Sequence, residues 1–117
     1  ERGSGFDRME EGMRDLTIPA PKVETGDDFT RTKLYWYAKL NDWKKEDKIR
    51  TCYLYTCYCY VNEIEVANSV LRERFGIDAK NMAIVSRIIK ATLGAELIKL
   101  SDENAALKNR RYIPYWA

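Results

Sequence analysis

The sequence predicts an α+β fold in which a close pair of short helices is followed by two short strands. Three observations carry that expectation. The segments 69–75 and 78–93 both repeat apolar residues at helical spacing, and a four-residue link, Gly76-Ile77-Asp78-Ala79, joins them. Leu97 to Leu100 and Arg110 to Trp116 read as strands on either side of the polar stretch Ser101 to Asn109, which has turn composition. Finally, a chain of 117 residues that is 45% hydrophobic can build one core but not comfortably two. Helix, helix, strand, strand in that order is the signature of a winged helix-turn-helix, the two strands forming the wing.

Taken in order, Phe6, Met9, Glu10 and Met13 recur at helical spacing, and Pro19 closes a short helix expected over residues 5–15. Pro19 and Pro21 force an extended passage. Val23, the turn Thr25-Gly26-Asp27-Asp28 and the run Phe29 to Tyr37 then predict a hairpin, with neither face cleanly apolar. Asn41 or Asp42 is placed to cap a helix over residues 44–61. Its Thr, Tyr and Cys content also suits a strand, but Ile49, Cys52, Tyr53, Thr56, Cys57 and Tyr60 line one helical stripe, the expected core face. The tyrosines could instead form a stacking platform for bases; aromatic residues at helical spacing are more commonly core.

Asn68 or Ser69 can cap the next helix, which carries Val70, Leu71, Arg74 and Phe75 and which Gly76 ends. Asp78 is placed to cap the one after. There Val85, Ile88, Ile89, Thr92 and Leu93 form the inward stripe, with Met82 at its edge. Pro114 suits an edge strand, and Tyr115 with Trp116 is expected to pack the chain end onto the domain.

Charge points toward a polyanionic partner. The formal net charge is only +2, yet residues 79–117 hold 7 Lys and Arg against 3 Asp and Glu. On the outward side of the last helix stand Lys80, Ala83, Arg87 and Lys90. Lysine and arginine reach phosphates and guanine edges, while the small Ala83 and Ser86 let the helix approach a groove floor. Candidate double-stranded DNA contacts are therefore Lys80, Asn81, Ala83, Ser86, Arg87 and Lys90 on the helix, with Asn81 and Ser86 as base-edge readers. Lys108, Arg110 and Arg111 in the wing would meet backbone phosphates or a minor groove. A solvated basic surface that binds nothing is the plain alternative for the charge, and an ordinary hairpin completing a small core is the plain alternative for the wing.

Catalysis has little to rest on. The chain has no His, no glycine-rich phosphate loop and no carboxylate pair on a common face, and Ser4 between Gly3 and Gly5 lacks the strand and base of a nucleophile elbow. No catalytic residue, resident cofactor or metal site is expected. Cys52, Cys57 and Cys59 fall within eight residues, and without His a zinc site lacks ligands, so reduced thiols are expected. No run of 18 apolar residues occurs, and a cytoplasmic protein without membrane partners is the default expectation. The start Glu1-Arg2-Gly3-Ser4-Gly5 suggests a piece of a longer chain.

The strings RGSGFDRM, IPAPKVE, EDKIRTCY, SVLRERFGI, VSRIIKATL and YIPYWA together resemble the C-terminal part of bacterial RecG-related transcriptional regulators. Members of that family carry a Schlafen-like AlbA domain, a divergent histidine-kinase-type ATP-binding domain and a C-terminal winged helix. The resemblance implies that residues 1–40 are the tail of the ATP-binding domain, its last helix and hairpin, and that 41–117 are the winged helix. ATP would then belong to the parent chain and not to this segment. Two positions depart from the family. The Gly expected just before the Leu-Ile of the wing stands two places earlier, at Gly94, so the last helix is expected to stop near Leu93. Leu54-Tyr55-Thr56 replaces the family's Gln-His-Ala, which removes a His. A homodimer through the aromatic hairpin Leu34 to Tyr37 is the alternative partner expectation, since a hairpin separated from its own domain would expose an apolar patch.

Overall fold

A computed structural model of the chain describes residues 18–35 and 39–117. The helix expected over residues 5–15, and Trp36 and Tyr37 of the aromatic hairpin, lie outside these residues. The remainder is mixed α+β: a hairpin of β1 (Lys22–Thr25) and β2 (Thr30–Lys33), three helices, α1 (Lys45–Val61), α2 (Asn68–Phe75) and α3 (Met82–Gly94), and a second hairpin of β3 (Ile98–Leu100) and β4 (Tyr112–Pro114). Among the described residues no helix is long and apolar enough to cross a membrane.

The first hairpin forms where the turn residues place it, with Val23 opposite Thr32 and Thr25 opposite Thr30. Gly26 lets the Phe29 ring lie close over the turn, where a Cβ would make the ring shift aside. Every β2 residue is exposed, which is why no face reads as apolar. The extended passage before it is held to α1: buried Ala20 donates its N–H to Thr51 Oγ1 at 2.8 Å, and Arg50 donates to the Ala20 carbonyl at 3.0 Å.

Several expected caps are displaced. Asn41 and Asp42 sit in a short 3-10 turn, Leu40–Asp42, and Lys44 stands at the head of α1 with no side-chain cap bond. Burial decides this: the turn drives Leu40 and Trp43 into the core, where the Trp43 ring meets Phe75 edge-on at 5.7 Å. The buried side of α1 is also rotated from the expected stripe. Thr51, Cys52, Tyr55, Thr56 and Cys59 are buried, whereas Ile49, Tyr53 and Cys57 are half-buried and Tyr60 is exposed. α1 is covered by α3 and β4 and also by the Ala20 passage, so its buried sector is wider than one stripe. Its threonines are neutral to that rotation because Thr56 returns its hydroxyl to the Cys52 carbonyl at 2.8 Å.

α2 starts after Ala67, with no side-chain cap, so Asn68 and Ser69 lie in its first turn. It ends at Gly76, whose φ of 69° and ψ of 37° let Ile77 N–H return to the Arg72 carbonyl at 2.9 Å. Asp78 heads a 3-10 turn, Ala79–Asn81, and α3 begins only at Met82. Of the expected inward stripe, Val85, Ile88, Ile89 and Thr92 are buried against Leu71, Phe75 and Cys52, Leu93 is half-buried, and Met82 at its edge is 49% exposed.

α3 ends at Gly94, one residue past Leu93 and so near where it is expected to stop, and the residue that turns the chain is Glu96, at φ 58°. Leu97 N–H reaches back to the Thr92 carbonyl and Glu96 N–H to the Leu93 carbonyl, the same closure that ends α2. Glu96 is the residue just before the Leu-Ile, the position at which the resemblance leads one to expect Gly. α1 closes alike at Glu63, at φ 59°, with Ile64 N–H on the Cys59 carbonyl at 2.8 Å.

β4 is flanked on both sides, by β3 and by Val66 just ahead of α2, which bridges to Tyr112 with a 2.9 Å N–H to carbonyl bond. It is thus not an edge strand at Tyr112. Pro114 is still tolerated, since alternation directs its missing N–H to the Val66 side beyond that single-residue bridge. Trp116 remains 60% exposed but donates to Tyr53 Oη at 3.1 Å and meets Tyr60 edge-on, which ties the last residues to α1.

Candidate nucleic-acid interface

The outward residues of α3 are Ala83, Ser86, Arg87 and Lys90, spaced so that they form one stripe along the helix, and all four are exposed. Lys80 and Asn81, also exposed, belong to the 3-10 turn before α3 and extend the stripe only from that turn. The side chains divide between two flanks. Ser86 borders a groove shared with the β3–β4 loop, and Arg87 borders a groove shared with α1.

The first of these grooves has a volume of about 700 Å³ and brings all three expected loop residues to α3. Met82 and Ser86 form its α3 wall, and Lys108, Arg110 and Arg111 form the opposite one. The loop reaches this position because Leu107–Asn109 makes a 3-10 turn, and because Val66 and β3 hold β4 from both sides. Lys108 is exposed; Arg110 and Arg111 are half-buried. Arg111 donates to the Arg110 carbonyl at 2.9 Å and lies 3.8 Å from exposed Glu65, a pair too long and too wet to neutralise it. The Arg110 Nε is buried and has no acceptor among the described residues. Among the described residues no carboxylate lines the groove.

Its floor is the start of α2, which the sequence expectations treated only as a cap. Asn68 Oδ1 accepts from Arg72 Nε at 2.9 Å, and Asn68 Nδ2 donates to Ser86 Oγ at 3.1 Å. The relay Arg72, Asn68, Ser86 therefore fixes the expected base reader from a neighbouring helix. Asn68 and Arg72 are four apart on α2, which is legible in the sequence; their meeting with Ser86 depends on how α2 packs on α3 and is not.

None of the three cysteines is in a disulfide. Cys52 and Cys59 are buried and Cys57 is half-buried. Burial pushes the Cys52 thiol up from 9.0 to about 11, against hydrogen bonds from Thr92 and Thr56 that act the other way. Cys57 is raised as well, again chiefly by burial.

Comparison with known proteins adds no family: no protein-family model, curated protein or solved structure matches the chain.

Proposed function

We propose that the chain is a winged-helix module that binds double-stranded DNA within a transcriptional regulator. Residues 78–93 enter the major groove, and the β3–β4 loop clamps the flanking backbone as the wing. One observation carries this: Ser86 of the exposed α3 stripe and the loop cations Lys108, Arg110 and Arg111 border a common groove in which no carboxylate appears among the described residues. In this role Lys80, Lys90, Lys108, Arg110 and Arg111 contact phosphates, Arg87 reaches a guanine or a phosphate, Asn81 and Ser86 read base edges, and Ala83 gives clearance. The module has no catalytic role, and ATP belongs to the parent chain that the resemblance to RecG-related regulators implies. Gel shifts of the chain on mixed duplexes test it. Retardation at low salt that fades steeply as salt rises is the expected result, and no retardation at low salt sinks the proposal.

A second reading, a protein-interaction or dimerisation module, is favoured by the first hairpin, where Val23, Phe29 and Leu34 are 57%, 53% and 61% exposed. Light scattering separates the two. A dimer whose contact buries Lys80, Arg87 and Lys90 would favour interaction over DNA.

A further inference from the structure

The flank of α3 turned away from the wing carries a second basic groove, of about 370 Å³, between α3 and the first turns of α1. Lys45 and Lys48 of α1 and Arg87 of α3 rim it, over an apolar floor that includes Ile49, Ile84 and Ala91. Among the described residues no carboxylate lines it, in a chain whose 20 Lys and Arg are almost matched by 18 Asp and Glu. α1 sorts its charges to achieve this. Lys45 and Lys48, three apart, share the α3 side, whereas Glu46 and Asp47 border a different groove with Trp43, and Asp47 is paired with Arg50 at 2.9 Å.

A helix lying in the major groove of B-DNA has a sugar-phosphate wall on each side, because the groove is only about 12 Å wide. The wing and its cations stand against one wall. The only comparable cations on the other flank of α3, among the described residues bordering it, are Lys45 and Lys48. We propose that Lys45 and Lys48 grip the phosphodiester backbone of the strand opposite the wing, and that the groove they share with Arg87 is its seat. The apolar floor suits deoxyribose faces, and the three cations suit the phosphates. α1 is then part of the interface as well as part of the core. This rests on the DNA-binding reading above and adds two contacts to it.

The test compares the salt dependence of duplex binding for the 117-residue chain and its Lys45→Gln/Lys48→Gln variant. Two lost phosphate contacts reduce the slope of log affinity against log salt by about 1.8, whatever the duplex sequence. A Lys45→Arg/Lys48→Arg variant retains the slope, and a Lys22→Gln/Lys33→Gln variant in the first hairpin leaves it unchanged. Lys45 is exposed and Lys48 half-buried, and far-UV circular dichroism verifies the helix in each variant. If the wild-type chain binds and the double Gln variant keeps its full slope, the phosphate seat is overturned while DNA binding stands. If the wild-type chain binds no duplex at low salt, both fall.

Discussion

Asn68 and Ser86 are eighteen residues apart, yet the amide of the first donates to the hydroxyl of the second at 3.1 Å across the α2–α3 junction. With Arg72 holding the other end of the amide, Ser86 is oriented from outside its own helix. Replacing Asn68 by Ala removes that restraint without removing a charge. The expected outcome is a flattened preference at one base position, of about 1 kcal/mol, with the salt slope unchanged. Fluorescence anisotropy on a set of singly substituted duplexes measures both quantities, and a change in slope with no change in preference would refute this role for Asn68.

Arg87 is exposed on α3 and borders the α1 groove. Arg87→Ala is expected to weaken binding by about 1–3 kcal/mol if the guanidinium reads a guanine, and to relax specificity at that position. A uniform loss over all duplexes, with a shallower salt slope, would identify it as a phosphate contact instead.

Leu71 and Ile89 are 0% and 3% exposed where α2 and α3 meet. Truncating either to Ala leaves a cavity and should cost about 2–5 kcal/mol, enough to unfold a marginal small domain. Urea denaturation reads this directly, and a near-neutral result would contradict the packing described for these helices.

Why α3 was legible and α1 was not follows from their side chains. In α3, Val, Ile and Thr alternate with Lys, Arg and Ser at helical spacing, so the buried side, and with it the outward Ala83, Ser86, Arg87 and Lys90, is visible from the letters alone. α1 is mostly Thr, Tyr and Cys, which are nearly as comfortable half-exposed as buried, and its expected stripe was rotated away from Tyr55 and Cys59 toward Tyr60. The caps failed for a different reason. Asn41, Asp42, Asn68 and Asp78 have capping chemistry, but burial of Leu40 and Trp43, the relay to Ser86 and a 3-10 turn assigned those residues elsewhere. The candidate site showed the same limit: residues of the outward stripe were found, whereas Lys45, Lys48 and Arg72 reach the grooves only through packing between helices.

Glu63 and Glu96 both hold the left-handed conformation that favours glycine. A side chain there is strained, while glycine adds freedom to the unfolded chain, so the two effects partly offset. Glu63→Gly and Glu96→Gly are each expected to stabilise the fold by about 0.5–1 kcal/mol. Thermal denaturation of the single variants measures this, and a loss of stability would show that the Glu side chains contribute contacts that outweigh the strain.

Stability should also fall in alkali. The Cys52 thiol keeps its proton in the fold up to about 11 but loses it near 9.0 when unfolded, so the native state binds more protons between those values. Its stabilising contribution is complete below pH 9 and declines as pH rises toward 11; burial raises Tyr112 too, in the same sense. Denaturant midpoints of the wild type and Cys52→Ala across this range check it, the variant being expected to show the shallower decline.

The bridge from Val66 to Tyr112 encloses α2, α3 and the whole β3–β4 loop between its two ends. Contacts within the helices and across β1 and β2 join near neighbours in the chain, whereas this one closes a loop nearly the length of the helical core. Closing so long a loop is entropically unfavourable until other contacts have brought its ends together, and non-local pairing slows folding more than it alters final stability. Formation of this pairing is therefore expected to fall late in folding, after the helices have brought the last strand to meet the residue ahead of α2. Substitutions at Val66 or Tyr112 would register in refolding kinetics according to how early that meeting occurs.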